Sequence, residues 1–370
     1  MSTLSFSIAR IHDAPAIMQF MDAHWRKGHV LSWSRELLLK DFQDEQNPNQ
    51  LNIGLVKDSQ GELLGLFGFM LYNQSELPDM AGSLWKITDE AQKQYPMLGI
   101  QLRNFVIKTI PHRFFAAPGA GLQTQTIYQV IRMNWHRMQQ FFYVNPTLYD
   151  YHLVTSEHLK KLPLQAESSV NVTLTLVQQE TAAEQLSLFD FSAYSHIVPF
   201  KDQSYVQRRF FDYPFYDYDV YLVQRKRDDD PSLVDFDAEN PVENLVVCRR
   251  AVARVDEDNE SSLKASAYRI VDFYGEEALV PDIMKALEQK IIEAGDEYLD
   301  FICEGFDEDL MKQGGMKSLD FDSEEWIVPN FFEPLLKKSV PVYCVSDKTD
   351  QHFRQCKADG DQDRPNGVVL

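Results

Sequence analysis

One order of local signals runs through this chain twice, and that repetition constrains the fold more than any other feature. Phe6, Ile8 and Ile11 begin as a short strand, and Ile17, Met21 and Trp25 then mark one face of a helix. Two strands follow, Leu51–Val56 and Leu63–Leu71, joined at the turn Asp58-Ser-Gln-Gly61. After a strand over Ser83–Ile87, the spacing of Leu98, Leu102, Phe105 and Val106 predicts a helix. Arg113–Ala117 reads as a strand, Thr124–Arg132 as a helix and Gln139–Val144 as a closing strand. The second half repeats the series with a helix at Tyr205–Phe211 and strands at Val220–Val223, Leu245–Val255 and Lys264–Tyr274, the last two joined across Asp256–Glu260. Pro281 opens a helix carrying Ile283, Met284, Leu287 and Ile291, and Gly295 closes it. A strand at Tyr298–Cys303, a helix at Glu308–Gln313 and a closing strand near Val340–Val345 complete the copy.

A repeat this long is not a solenoid unit. With 370 residues to distribute, two cores are expected. The predicted fold class is α/β (α+β), with two tandem domains, each a mixed, mostly antiparallel sheet flanked by helices. The expected division is 1–150, a linker over 151–188, a second domain over 189–346 and a tail over 347–370.

Charge limits the partners. A formal net charge of −20 argues against nucleic acid and anionic membranes, whose phosphates attract stripes of Lys and Arg. Cys248, Cys303, Cys344 and Cys356 have no CxxC spacing and read as free thiols. The start of the chain lacks a charged segment before an apolar one, and no apolar run reaches 18 residues. The expectation is a cytoplasmic protein without membrane insertion, with homodimerisation left open.

The order of elements resembles the GNAT acyltransferase fold, in which the helix after the fourth strand aims its N-terminus at the pyrophosphate of coenzyme A. The family's mark there is Gln/Arg-x-x-Gly-x-Gly/Ala. Gln94-Tyr-Pro-Met97-Leu98-Gly99 keeps its first and last positions, with Met97 where the first glycine belongs. The resemblance implies a cofactor site at Gln94, Met97, Leu98, Gly99, Ile100 and Gln101, with acyl-CoA or acetyl-CoA as donor substrate and an amine as acceptor. Free N–H groups and the helix dipole favour an anion there. The family's next landmark is a tyrosine that protonates the departing thiolate, and Tyr128 stands at that place, followed by Arg132-Met133 instead of Gly-Phe. From Lys86 to Arg113 five basic residues face two acidic ones, whereas Tyr268 to Asp300 holds three basic and nine acidic. An anionic cofactor is therefore expected in the first copy, helped by Lys93 and Arg103, and the second copy, with Met311 at the tyrosine position, reads as degenerate.

Pro329-Asn-Phe-Phe-Glu-Pro334, Trp25-Arg-Lys-Gly-His29, Arg209-Phe-Phe-Asp-Tyr-Pro214 and the tail Lys357–Asn366 resemble tandem GNAT-like proteins of bacterial surface-polysaccharide and glycan-modification pathways. That resemblance implies an amino-sugar acceptor. Imidazole titrates near neutral pH, so His24 and His29 are both able to act as a general base, and the resemblance favours His29 through its Trp-x-x-x-His setting.

Other clusters admit plainer readings. Asp359, Asp361 and Asp363 alternate as in a calcium loop, but Arg364 occupies the glycine position, so no metal is expected. These aspartates should make hydrogen bonds around Arg364 or on a domain surface. The twelve residues Phe210–Tyr221 hold seven aromatics, which suits a core or a domain interface better than a sugar site. Two functional readings stand: an N-acyltransferase, and a non-catalytic binding or scaffold protein with decayed cofactor sites.

Overall fold

The computed structural model describes residues 4–162, 170–226, 236, 240–254, 264–333 and 335–365. The turn Asp256–Glu260, Pro334, Asn366 and part of the linker lie outside the described residues. The first half runs β1 (Ser5–Arg10), α1 (Ala14–Phe20), α2 (Val30–Trp33), α3 (Arg35–Phe42), β2 (Gln50–Lys57), β3 (Leu63–Leu71), β4 (Asp79–Ile87), α4 (Asp89–Gln94), α5 (Leu98–Thr109), β5 (Phe114–Pro118), α6 (Gln125–Val130), β6 (Asn134–Arg137) and β7 (Gln139–Val144). The second runs β8 (Val172–Leu176), α7 (Ala182–Leu186), β9 (Ile197–Val198), α8 (Gln203–Phe210), β10 (Asp219–Arg225), β11 (Asn244–Arg254), β12 (Lys264–Gly275), α9 (Val280–Ala294), β13 (Tyr298–Glu304), α10 (Glu308–Gln313), β14 (Lys317–Ser318), β15 (Tyr343–Ser346), β16 (His352–Phe353) and β17 (Gln355–Cys356).

Two seven-membered strand orders correspond one to one: β1-β2-β3-β4-β5-β15-β6 and, reversed, β8-β10-β11-β12-β13-β7-β14. In each, four strands pair antiparallel and the fifth pairs parallel to the fourth. The local chemistry explains the pieces. Gly61 takes φ +83° at the β2–β3 turn, and Gly295 caps α9 with φ +74°. In α5, Leu98, Leu102 and Val106 face Val56, Phe67 and Met80, while α1 to α3 cover the other side of the same sheet through Ile17, Leu31 and Leu38. In α9, Ile283, Leu287 and Ile291 cover Tyr221, Ile270 and Phe301.

The closing strands depart from the expected boundaries. Gln139–Val144, expected to finish the first copy, pairs with β13 in the second sheet, and β15, expected to finish the second copy, enters the first sheet between β5 and β6. The two halves exchange their last strands. A strand's alternation specifies which faces it buries and not which edge it joins, so this crossing leaves no local trace. The presumed linker also holds a strand, β8, whose Val-Thr-Leu-Thr-Leu alternates at period two and forms the outer member of the second sheet.

The C-terminal segment is internal. Tyr72 donates to the carbonyl of Asp359 (2.7 Å), and Arg209 donates to those of Ala358 (3.2 Å) and Asp363 (2.8 Å). Arg249 pairs with Asp363 at 2.7 Å and Arg364 with Asp41 at 3.0 Å. Residues of both halves thus hold the segment in place. The aromatic run Phe210–Tyr221 spans the same junction: Phe210 packs in the cluster joining the two sheets, Tyr213 against the first half and Tyr221 under α9.

Candidate active site

The fourth strand of each sheet carries one extra residue. In the first sheet Phe67 faces Trp85 and Phe69 faces Gly82, so β4 spends three steps where β3 spends two. In the second, β12 is bulged between Ile270 and Asp272. A bulge bends its strand, and β4 and β5 pair only over Asp79–Ala81 and Phe114–Ala116 before separating. The gap opens toward the N-terminus of α5.

At that open end, the amide of Leu98 bonds to Tyr95 (2.9 Å) and that of Gln101 to Met97 (2.9 Å), while the amides of Gly99 and Ile100 find no acceptor among the described residues. Met97 is 55% exposed and so is not packed into the gap. Gln94 and Gln101 are exposed, Ile100 is half-buried, and Leu98 is buried. Gly99 turns inward: a Cβ there would come within 3.1 Å of the Trp85 indole nitrogen. Its missing side chain lets α5 approach β4.

Tyr128 reaches the gap from α6. Its ring meets the Trp85 indole edge-on at 5.8 Å, and it is buried. Burial pushes its hydroxyl up to about 12, opposed by the charge of Arg103. Arg103, named with Lys93 as a charge that helps an anionic cofactor, is only 8% exposed. Its guanidinium lies 4.9 Å from the Phe115 ring and donates to the Met133 sulfur at 3.3 Å, while Nε has no partner among the described residues. Burial lowers its pKa, and Tyr128 and Asp347 counteract that. The hydroxyl of Ser83, within the β4 bulge, is also buried and unpartnered among the described residues. Sequence reasoning named Arg103 only for its charge and missed Trp85 and Ser83 beside it; an arginine next to Leu102 on the apolar side of α5 was the available signal of its burial.

His29 stands elsewhere. It caps α2 with Nδ1 accepting from the Leu31 amide at 3.2 Å, on the sheet face covered by α1 to α3, whereas Tyr128 packs with α5. That bond takes the lone pair a base would use. His24 is exposed beside Phe20.

The second copy has its gap filled by the chain itself. One edge of β13 pairs with β7, and the other pairs first with β12 and then, at Cys303 and Glu304, with β17. Gly305 takes φ +82°, and a Cβ there would lie 1.9 Å from the Phe353 carbonyl oxygen, so only glycine admits this strand. Glu276 and Glu277 occupy the helix end, and Met311 is buried under α9. Asp272, Cys356 and Asp359 come together as a metal site would, but the Lys201 ammonium already bridges the two carboxylates, 2.7 Å from Asp359.

No family profile and no curated protein matches this chain. Solved structures do. One is a GCN5-related glucosamine N-acetyltransferase region of a fungal multi-domain β-N-acetylglucosaminidase (10% identity, TM-score 0.49), where the match covers 94% of this chain and 38% of the other. A second is an acetyltransferase from Pyrococcus horikoshii (10% identity, TM-score 0.46, covering 99% and 94%). A third is the Saccharomyces cerevisiae N-myristoyltransferase with bound myristoyl-CoA (8% identity, TM-score 0.47, covering 100% and 87%). At this level of likeness none of them assigns a residue or a substrate here.

Proposed function

We propose that the chain is a GNAT-type N-acyltransferase with one donor site, in the β4–β5 gap of the first half. The observation that carries this reading is the asymmetry of the two gaps: in the first, Ala117 and Pro118 pair with β15 on one edge and have no strand on the β4-facing edge among the described residues, whereas in the second that edge holds β17. The donor's phosphates would meet the amides of Gly99 and Ile100, and its acyl arm would run into the gap toward Tyr128. The amine nitrogen attacks the thioester carbonyl carbon, the C–S bond breaks, the nitrogen loses a proton and the sulfur gains one. A hydroxyl held at about 12 stays protonated at neutral pH, so Tyr128 acts as the donor to the departing sulfur. Arg103 beside it stabilises the negative charge that develops on sulfur as the C–S bond breaks. An amino sugar of a surface-glycan precursor is the proposed acceptor, in line with the resemblance of the C-terminal third, and the cytoplasm the proposed compartment. Among the described residues no helix is long and apolar enough to cross a membrane.

Trp85 favours a second reading. Its indole lies against both Tyr128 and Gly99, as it would in a protein whose cofactor site has closed. Tyr128→Phe separates the two: the enzyme loses about 10²–10⁴-fold in turnover with little change in acyl-CoA affinity. A wild-type protein that neither binds nor turns over acyl-CoA would establish the scaffold instead.

A further inference from the structure

Two of the four cysteines face each other across a strand pair. Cys303 on β13 and Cys356 on β17 are direct partners in antiparallel register. Cys248 faces Asp219 and Ile270, and Cys344 faces Pro118 and His136, so neither has a thiol opposite it. Partners in an antiparallel ladder carry their side chains on the same face, and both cysteines belong to the buried cluster under α9.

The kind of pair decides whether the sulfurs can join. The amide of Cys356 is taken by the Asp359 carboxylate at 2.6 Å, which marks the two cysteines as a non-hydrogen-bonded pair. In such a pair the Cα atoms stand about 4.5 Å apart, inside the range of about 4.4–6.8 Å that a disulfide spans. Solvent reaches the approach to β17, because a cavity of about 360 Å³ is lined by His352 and Arg354 just ahead of it. The two thiols are unequal. Burial pushes both up; the next influence on Cys303, the Glu304 carboxylate, raises it further, whereas for Cys356 it is the Lys201 ammonium, which lowers it. That ammonium bridges Asp272 and Asp359 beside the Cys356 sulfur and so favours its thiolate, the nucleophilic form.

We propose that Cys303 and Cys356 are a site of reversible oxidation by hydrogen peroxide, and that their disulfide clamps β17 into the second gap. The Cys356 thiolate attacks one peroxide oxygen, the O–O bond breaks, and a sulfenic acid and hydroxide result; the hydroxide takes the proton that Cys356 gave up. The Cys303 sulfur then attacks the sulfenic sulfur. The S–S bond forms, the S–O bond breaks, and the departing hydroxide leaves as water with the Cys303 proton. Two thiols and one hydrogen peroxide thus give one disulfide and two waters. Because β17 leads directly into Lys357–Arg364, the bond also ties to the second sheet a segment that both halves hold.

The test needs no acyl-CoA, so its outcome does not depend on the transferase reading. The full chain is reduced, freed of reductant and exposed to hydrogen peroxide under native conditions; it is then unfolded, its remaining thiols are alkylated, and its peptides are mapped by mass spectrometry. A linked Cys303–Cys356 peptide pair is expected, lighter by two hydrogen atoms than the reduced peptides together and separated again by dithiothreitol. In the oxidised chain, amide exchange in β17 and Lys357–Arg364 should be at least tenfold slower than in the reduced chain, and Cys356→Ser should show no such slowing. Recovery of Cys303 and Cys356 as free thiols or as separate sulfinic acids overturns the proposal. So does linkage of either to Cys248 or Cys344, or equal exchange in the two redox states.

Discussion

Glu288 offers a test of the packing that does not depend on function. Its side chain lies on the buried side of α9, 4% exposed, with Oε1 unpartnered among the described residues. Burial raises its carboxyl from 4.5 to about 8, against a weaker opposite pull from Lys285. The folded chain therefore holds this proton more tightly than the unfolded chain does. The stability tied to it is complete below about pH 4.5 and is lost as pH rises toward 8, at about 1.4 kcal/mol per pH unit. Integrated to pH 7, the loss is about 3 kcal/mol. Glu288→Gln keeps the shape and removes the ionisation. The variant should match the wild type near pH 4.5 and exceed it by about 3 kcal/mol at pH 7, read as the difference in urea unfolding free energy. Wild-type and variant curves that stay parallel from pH 4.5 to 8 would refute the reasoning, because the carboxyl would then be hydrated in the folded state.

The C-terminal segment yields further expectations. Asp363→Asn leaves Arg249 buried without its carboxylate and should cost about 3–5 kcal/mol, measured by denaturant unfolding. Burial alone would raise the Asp363 carboxyl, but Arg249 and Arg209 hold it well below the usual range. Its stabilisation is therefore present above about pH 4 and is lost as pH falls through the lower native value, which a comparison of wild type and variant between pH 5 and 2 should show. Gly305→Ala meets the Phe353 carbonyl oxygen and should lower the melting temperature, with faster amide exchange confined first to β16 and β17. Gly99→Val should push α5 away from Trp85 and weaken acyl-CoA binding without unfolding the second sheet.

Most elements were legible because their apolar spacing is strong, as in α5, α9 and the β2–β3 hairpin. What escaped was partnership. Gln-Gln-Phe-Phe-Tyr-Val over β7 looks the same whichever sheet it joins, and only the long-range pairing with Tyr298–Cys303 decides. The tail aspartates read as bonded around Arg364 or on a domain surface, because aspartates seldom enter a core, yet Asp359 and Asp363 are buried beside Lys201 and Arg249, cations contributed by distant elements. At the candidate site, the helix end at Leu98–Gly99 and Tyr128 on α6 were named from the resemblance, and the fold brings both beside Trp85. Trp85 itself was not named, since its place beside Tyr128 depends on how closely α5 approaches β4, which the missing side chain of Gly99 allows, and the burial of Arg103 against Phe115 did not follow from its charge. His29 illustrates the converse: a residue type able to act as a base, which the fold uses as a helix cap.

The central claim is a single donor site, in the first half. Titration calorimetry with acetyl-CoA measures it directly: one molecule should bind per chain, with affinity reduced by Gly99→Val and unchanged by Glu276→Gln in the second half. Two molecules per chain, or no heat at millimolar acetyl-CoA, would contradict it.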